Sequence, residues 1–130
     1  GGEETPPAAA AVEGAGQGQA GSDAPAAAQD AVFYDLPSLL VNLATDGSRT
    51  TYLRVAATLE LVSSNDVADV RKQGQAITDG FQAFLREMRP SDLSGSGGLM
   101  RLKEELLVRA NTILGREAVR NVLFTEFLVQ

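Results

Sequence analysis

Val119-Arg120-Asn121-Val122-Leu123-Phe124-Thr125-Glu126-Phe127-Leu128-Val129-Gln130 closes the chain, and its reading decides the fold. The segment is rich in Val, Leu, Phe and Thr and holds neither Gly nor Pro, a strand composition. Terminal residues fray unless something ties them down. Two Phe so close to the end argue against a solvated tail, so the expectation is a strand docked in a sheet, without which the domain is incomplete. Simple alternation puts Val122, Phe124 and Leu128 on one face and Leu123, Phe127 and Val129 on the other, with Glu126 and Thr125 interrupting. Two readings stay open. A central strand would have both faces covered within the domain. Alternatively, helices cover one face and a second protein covers the other.

Working back from this strand, Leu99, Leu102, Leu106, Ala110 and Ile113 fall on one helix face, with Gly115 as C-cap and Arg116 suited to the helix end. Ser91 to Gly98 reads as a loop. Before it, Val67, Val70, Gly74, Ile77, Phe81, Phe84 and Met88 recur at steps of three and four, and Leu85 widens the stripe. That predicts one long amphipathic helix ended by Pro90, with N-cap candidates among Ser63 to Asp66. Gly74 costs about 1 kcal/mol relative to Ala in a helix interior, which suggests that something packs close there. Thr50 to Val62 is the clearest strand: Leu53, Val55, Ala57, Leu59 and Leu61 alternate with Tyr52, Arg54, Ala56, Thr58 and Glu60. Leu39, Val41 and Leu43 alternate in the same way, and Thr45-Asp46-Gly47-Ser48 supplies a turn, so a β-hairpin is expected. Pro37 pushes Leu36 toward an extended conformation. The order β-β-α-α-β gives an α/β class in its α+β form: a small mixed sheet with two helices on one face.

At 130 residues, 44% hydrophobic and 22% charged, the chain suits one globular domain. Its charge is uneven. Residues 1–31 hold five acidic residues and no basic one, and are dominated by Ala, Gly, Gln and Pro. Such a composition cannot offset its ordering entropy, so it reads as an acidic, flexible linker. Residues 32–130 balance 11 basic against 12 acidic residues. That near-neutral domain offers no phosphate-binding surface, which argues against nucleic acid. No apolar run is long enough to span a bilayer, and the acidic start is unlike a signal peptide. The start at Gly1-Gly2 without Met reads as a fragment, or as a processed or engineered terminus.

The absence of Cys and His removes disulfides, thiolates, the commonest general base and the commonest metal ligand. The Gly95-Ser96-Gly97-Gly98 loop precedes a helix, but it joins helix to helix and lacks a following Lys-Ser or Lys-Thr. An interhelical loop is the better reading than a phosphate cradle. Asp66 and Asp69 suit a helix N-terminus, and Arg101, Lys103, Glu104 and Glu105 suit a solvated helix face. No calcium-loop pattern occurs. Lys72 and Lys103 lie among polar helix positions, and no Ser has an activating base. No catalytic residue, metal or cofactor is expected; surface is what remains.

The tail Val122 to Gln130 resembles the C-terminal signature of the FliL family of flagellar basal-body proteins. In order, Val41-Asn42-Leu43 is similar to that family's first strand motif, and Tyr52 to Leu61 to its long second strand. Ile77-Thr78-Asp79 is similar to an Ile-Arg-Asp segment of its first helix, with Thr78 in place of Arg. Leu102 to Leu106 and Asn111 are similar to its second helix. The resemblance covers about residues 33–130. It implies a stomatin/prohibitin-like periplasmic domain, joined by a linker at residues 1–31 to an N-terminal membrane helix absent from this sequence, in a single-pass inner-membrane protein. It further implies a non-enzymatic protein that forms homo-oligomeric rings around flagellar stator proteins and supports torque. The candidate contacts are Phe33, Tyr34 and Leu36 before the hairpin, Tyr52, Arg54, Thr58 and Glu60 on its polar face, and Phe124 and Phe127 in the last strand. An unrelated periplasmic or cytosolic protein- or peptide-binding module of similar fold is the alternative.

Overall fold

A computed structural model describes residues 31–45, 47 and 49–130. The expected linker, residues 1–31, lies outside the described residues up to residue 30, as do Asp46 and Ser48 of the expected turn. The described residues form strands β1 (Val32–Asp35), β2 (Leu39–Asn42) and β3 (Tyr52–Leu61), then helices α1 (Val67–Lys72), α2 (Gly74–Leu85) and α3 (Gly98–Leu114), then strand β4 (Val119–Val129). The α+β architecture expected from the sequence is present, with one more strand, β1, at its start. Every pairing is antiparallel, so the sheet is not mixed. Antiparallel pairing is the natural result here, because β4 returns along β3 and both short strands run against it.

Strand β3 organises the sheet. β4 takes its whole length on one edge, from Leu53 opposite Val129 to Leu61 opposite Val119. β1 and β2 share the other edge: Asp35 lies opposite Thr58, and Leu39 opposite Val55. The jog between them falls at Pro37, which has no N–H for the ladder. Leu36 still donates to the Ala57 carbonyl at 2.9 Å. The hairpin of β2 and β3 is as expected, closed by Leu43 N–H on the Thr51 carbonyl at 2.8 Å. Among the described residues β4 is therefore an edge strand, and the reading in which it sits at the centre of the sheet does not hold for them.

Two register shifts interrupt the β3–β4 ladder, one between Ala56 and Ala57 and one between Glu60 and Leu61. In each, β4 carries one extra residue: Thr125 beside Glu126, and Arg120 beside Asn121. Each bulge flips the phase of the strand. Val119, Val122, Phe124, Phe127 and Val129 consequently share the side of Leu53, Val55, Ala57, Leu59 and Leu61. The simple alternation is corrected: Phe124 and Phe127 are on one face, half-buried, with ring centroids 5.2 Å apart. Leu128 and Leu123 are on the other face, opposite Arg54 and Thr58.

The described helices cover the first face. Val70, Ile77, Phe81 and Leu85 from α1 and α2, with Leu102, Leu106 and Ala110 from α3, close over Leu53, Leu59 and Leu61. Each of these residues is at most 1% exposed, and full burial of such a side chain contributes about 1.5–3 kcal/mol. The expected long helix breaks at Gln73 into α1 and α2. Gly74 is not forced by crowding: a Cβ there would stand 3.7 Å from Tyr34 Oη, an ordinary contact. On α3, Leu114 is buried where Ile113 was expected, and Leu99 is exposed. The expected loop after α2 contains a 3-10 turn, Pro90–Leu93, in which the Arg89 N–H donates to Asp92 Oδ2 at 2.9 Å. Gly115 takes the left-handed C-cap conformation, φ 79°.

Candidate functional site

Among the described residues, no helix lies on the second face of the sheet. Its residues are the alternates of the core positions: Phe33 and Asp35 from β1, Leu40 and Asn42 from β2, Tyr52, Arg54, Ala56, Thr58 and Glu60 from β3, and Asn121, Leu123, Glu126 and Leu128 from β4. Phe33 is 56% exposed, Leu40 53%, Leu128 48% and Tyr52 40%. Large apolar side chains on an uncovered sheet face are the feature that marks this surface.

The middle of the face is polar and internally satisfied. Thr58 Oγ donates to Asp35 Oδ1 at 2.7 Å, which explains how a Thr on the open face is only 8% exposed. Arg120 meets Glu60 at 3.6 Å, a contact possible because the second bulge turns Arg120 toward Glu60. Glu126 is exposed opposite Ala56. The first bulge is its physical explanation: it places the carboxylate on the open face rather than in the core.

Of the candidate contacts, the fold brings together Phe33, Tyr52, Arg54, Thr58 and Glu60. It separates the other four. Leu36 is buried in the core, and Tyr34 packs against it. Phe124 and Phe127 also pack on the core from the helix-covered side. Leu40 and Leu128 were missed as candidates. The Leu40 signal was present, since alternation about Val41 leaves Leu40 outward with Asn42. The Leu128 signal was hidden by the bulge.

The other features are structural. Arg116 forks between Asp66 and Asp69 at 2.6 Å each, tying the end of α3 to the start of α1. These hydrogen bonds, Asp66 first, raise the Arg116 pKa above its ordinary value. Among the described residues no group of His, Cys, Asp and Glu is placed to hold a metal. At Gly98 a Cβ would lie 2.6 Å from the Asp92 carbonyl oxygen, so this end of the glycine-rich loop is packed on backbone instead of cradling a ligand. A cavity of about 10 Å³ between sheet and helices, lined by Leu36, Val55, Thr78, Phe81 and Phe124, has room for one water at most. Thr78, the position at which the resemblance departs from Arg, is buried on its wall. Among the described residues no helix is long and apolar enough to cross a membrane.

Comparison with known proteins places this geometry. The family model described as "Flagellar basal body-associated protein FliL" matches residues 33–130. The "Flagellar FliL protein" of Caulobacter vibrioides is 39% identical over 98 residues, covering 75% of this chain and 48% of the relative. The "Flagellar protein FliL" of Aquifex aeolicus is 37% identical over 100 residues, covering 76% of this chain and 62% of the relative. The chain thus spans about half to three-fifths of the length of these relatives. The match begins at β1 and takes in every strand and helix described above, so the chain belongs to the FliL family of flagellar basal body-associated proteins.

Proposed function

We propose that this domain is a non-enzymatic accessory of the flagellar motor, periplasmic and tethered to the inner membrane through a preceding segment. It self-associates around the stator units and supports torque. The observation that carries this reading is the open face of the sheet. It is broad and exposes Phe33, Leu40, Tyr52 and Leu128, while its carboxylates are spent on Thr58 and Arg120 or lie open to solvent. Such a face is suited to docking protein, and family membership supplies the setting.

Self-association of this kind is favoured by confinement to a membrane, where effective concentration is high. The test follows from that. The gene is deleted in the source bacterium, and swimming speed under viscous load is measured with and without the restored protein. In parallel, the membrane-bound protein is purified in detergent, its size is measured, and stator subunits are sought by mass spectrometry. Loss of speed under load, an oligomeric particle and co-purified stator subunits are the expected results. Unchanged motility in the deletion strain, together with a monomer free of stator subunits, overturns the proposal.

A further inference from the structure

The apolar residues of the open face cluster at its two ends, and among the described residues Arg54 at one end and Glu126 one rung from it make no ion pair. Leu40 and Leu128 are the ladder neighbours of Arg54 on either side, and Tyr52 precedes it by two residues on the same face. Arg54 makes no ion pair or hydrogen bond among the described residues. The other face residues behave differently, with Glu60 on Arg120 and Asp35 on Thr58. Glu126 is one rung away, opposite Ala56, and is not joined to Arg54.

This arrangement fixes the chemistry of whatever covers it. A body that shields Leu40, Tyr52 and Leu128 from water must also lie over the guanidinium between them. Burial of an unpaired charge costs several kcal/mol, more than the apolar contact of one such side chain returns. A covering surface that brings a carboxylate spares that cost, because a carboxylate matches the planar fork of Arg. Tyr and Arg amid apolar neighbours is also the composition of interface hot spots. In a two-fold contact Arg54 of one copy can meet Glu126 of the other, so attachment to a second copy is an outcome that the test must separate.

We infer that the Leu40–Tyr52–Arg54–Leu128 patch docks a segment of another protein in which an Asp or Glu lies between apolar side chains, its carboxylate on Arg54. The inference rests on the accessory reading and names the chemistry of one of its contacts. Photoreactive p-benzoylphenylalanine is placed at position 40 or 128 of the full-length protein in the source bacterium, with position 108 as the exposed control, and cross-linked peptides are sequenced. The expected product is a segment of a different protein with an Asp or Glu within about four residues of the attachment point. Arg54→Glu lowers the yield about tenfold or more, Arg54→Lys retains most of it, and both variants keep the parent melting curve. A yield no higher than at position 108, an attached segment without a carboxylate, attachment to a second copy, or indifference to Arg54→Glu overturns the inference. Motility lost on gene deletion but intact in Arg54→Glu would overturn this inference alone. Motility unaffected by deletion would instead remove the accessory reading beneath it.

Discussion

Single residues set the joints between elements, and two glycines show how differently the same residue type is used. At Gly98 a Cβ would stand 2.6 Å from the Asp92 carbonyl oxygen and 3.1 Å from the Leu93 carbonyl carbon. Both are backbone atoms of the preceding turn, so relief requires moving the start of α3. Gly98→Ala should destabilise by about 2–3 kcal/mol. Gly74 has room for a methyl group, so Gly74→Ala should stabilise by about 0.5–1 kcal/mol, through helix propensity and a less flexible unfolded chain. Urea denaturation of both variants checks the opposite signs. Asn111 is a joint of another kind. Its amide donates to the Val119 carbonyl at 3.0 Å and accepts from the Val119 N–H at 2.8 Å, giving the first residue of β4 the pairing a further strand would give. Asn111→Asp keeps the size and the acceptor but sets a carboxylate oxygen against a carbonyl. It should cost about 1–3 kcal/mol in the same measurement, close to Asn111→Ala. A neutral Asn111→Ala would show that water replaces the amide there.

At the scale of elements, the bulges of β4 are the main structural decision. Thr125 is the extra residue opposite Ala56, and its removal leaves Phe124 opposite Ala57, Glu126 opposite Ala56 and Phe127 opposite Val55. Deletion of Thr125 should therefore be tolerated, with cooperative melting and a loss of about 1 kcal/mol or less. Deletion of Leu123 removes a paired residue. It drives Val122 off the core side or pulls Asn121 into it, and should broaden or abolish the transition on thermal melting followed by circular dichroism. A Thr125 deletion as damaging as the Leu123 deletion would sink the register argument. The bulges also mark the limit of what was legible in the sequence. Alternation located β3 to within two residues at each end, and the three-and-four spacing located the buried positions Ile77, Phe81, Leu102 and Leu106. Phe124 and Phe127 were assigned to opposite faces because a bulge leaves no trace in side-chain type: Thr125 and Glu126 look like two ordinary alternating residues. The break at Gln73 was equally silent, since Val70 and Ile77 keep the same stripe across it. The residues of the open face were half legible. Tyr52, Arg54, Thr58 and Glu60 follow from the alternation of β3, whereas Leu128 waits on the register of β4.

Across residues 32–130 as a whole, the consequence of this topology is a core between the sheet and its helices, held together at its last strand. β4 lines one entire edge of β3 and places Val122, Phe124 and Phe127 against the core. Without residues 122–130, Leu53, Val55 and Leu59 lose their neighbours along that edge while the helices remain on the face. Exposure of the three β4 side chains and partial exposure of the three β3 residues forfeits about 1–3 kcal/mol each. The sum is comparable to the whole stability of a domain this size, on the order of 5–15 kcal/mol. The prediction is loss of the fold, not weakened docking: a chain ending at residue 121 should show no cooperative unfolding transition and should aggregate or be degraded. The necessary comparison is a chain ending at Leu128. It loses Val129 and the paired hydrogen bonds between Tyr52 and Gln130, of 2.9 and 2.8 Å, but keeps both Phe. That chain should melt cooperatively, about 1–2 kcal/mol less stable than the parent. If the chain ending at residue 121 is instead monodisperse with a sharp melt, then β3 closes on the helices alone, and β4 becomes a detachable edge available to a partner rather than a part of the core.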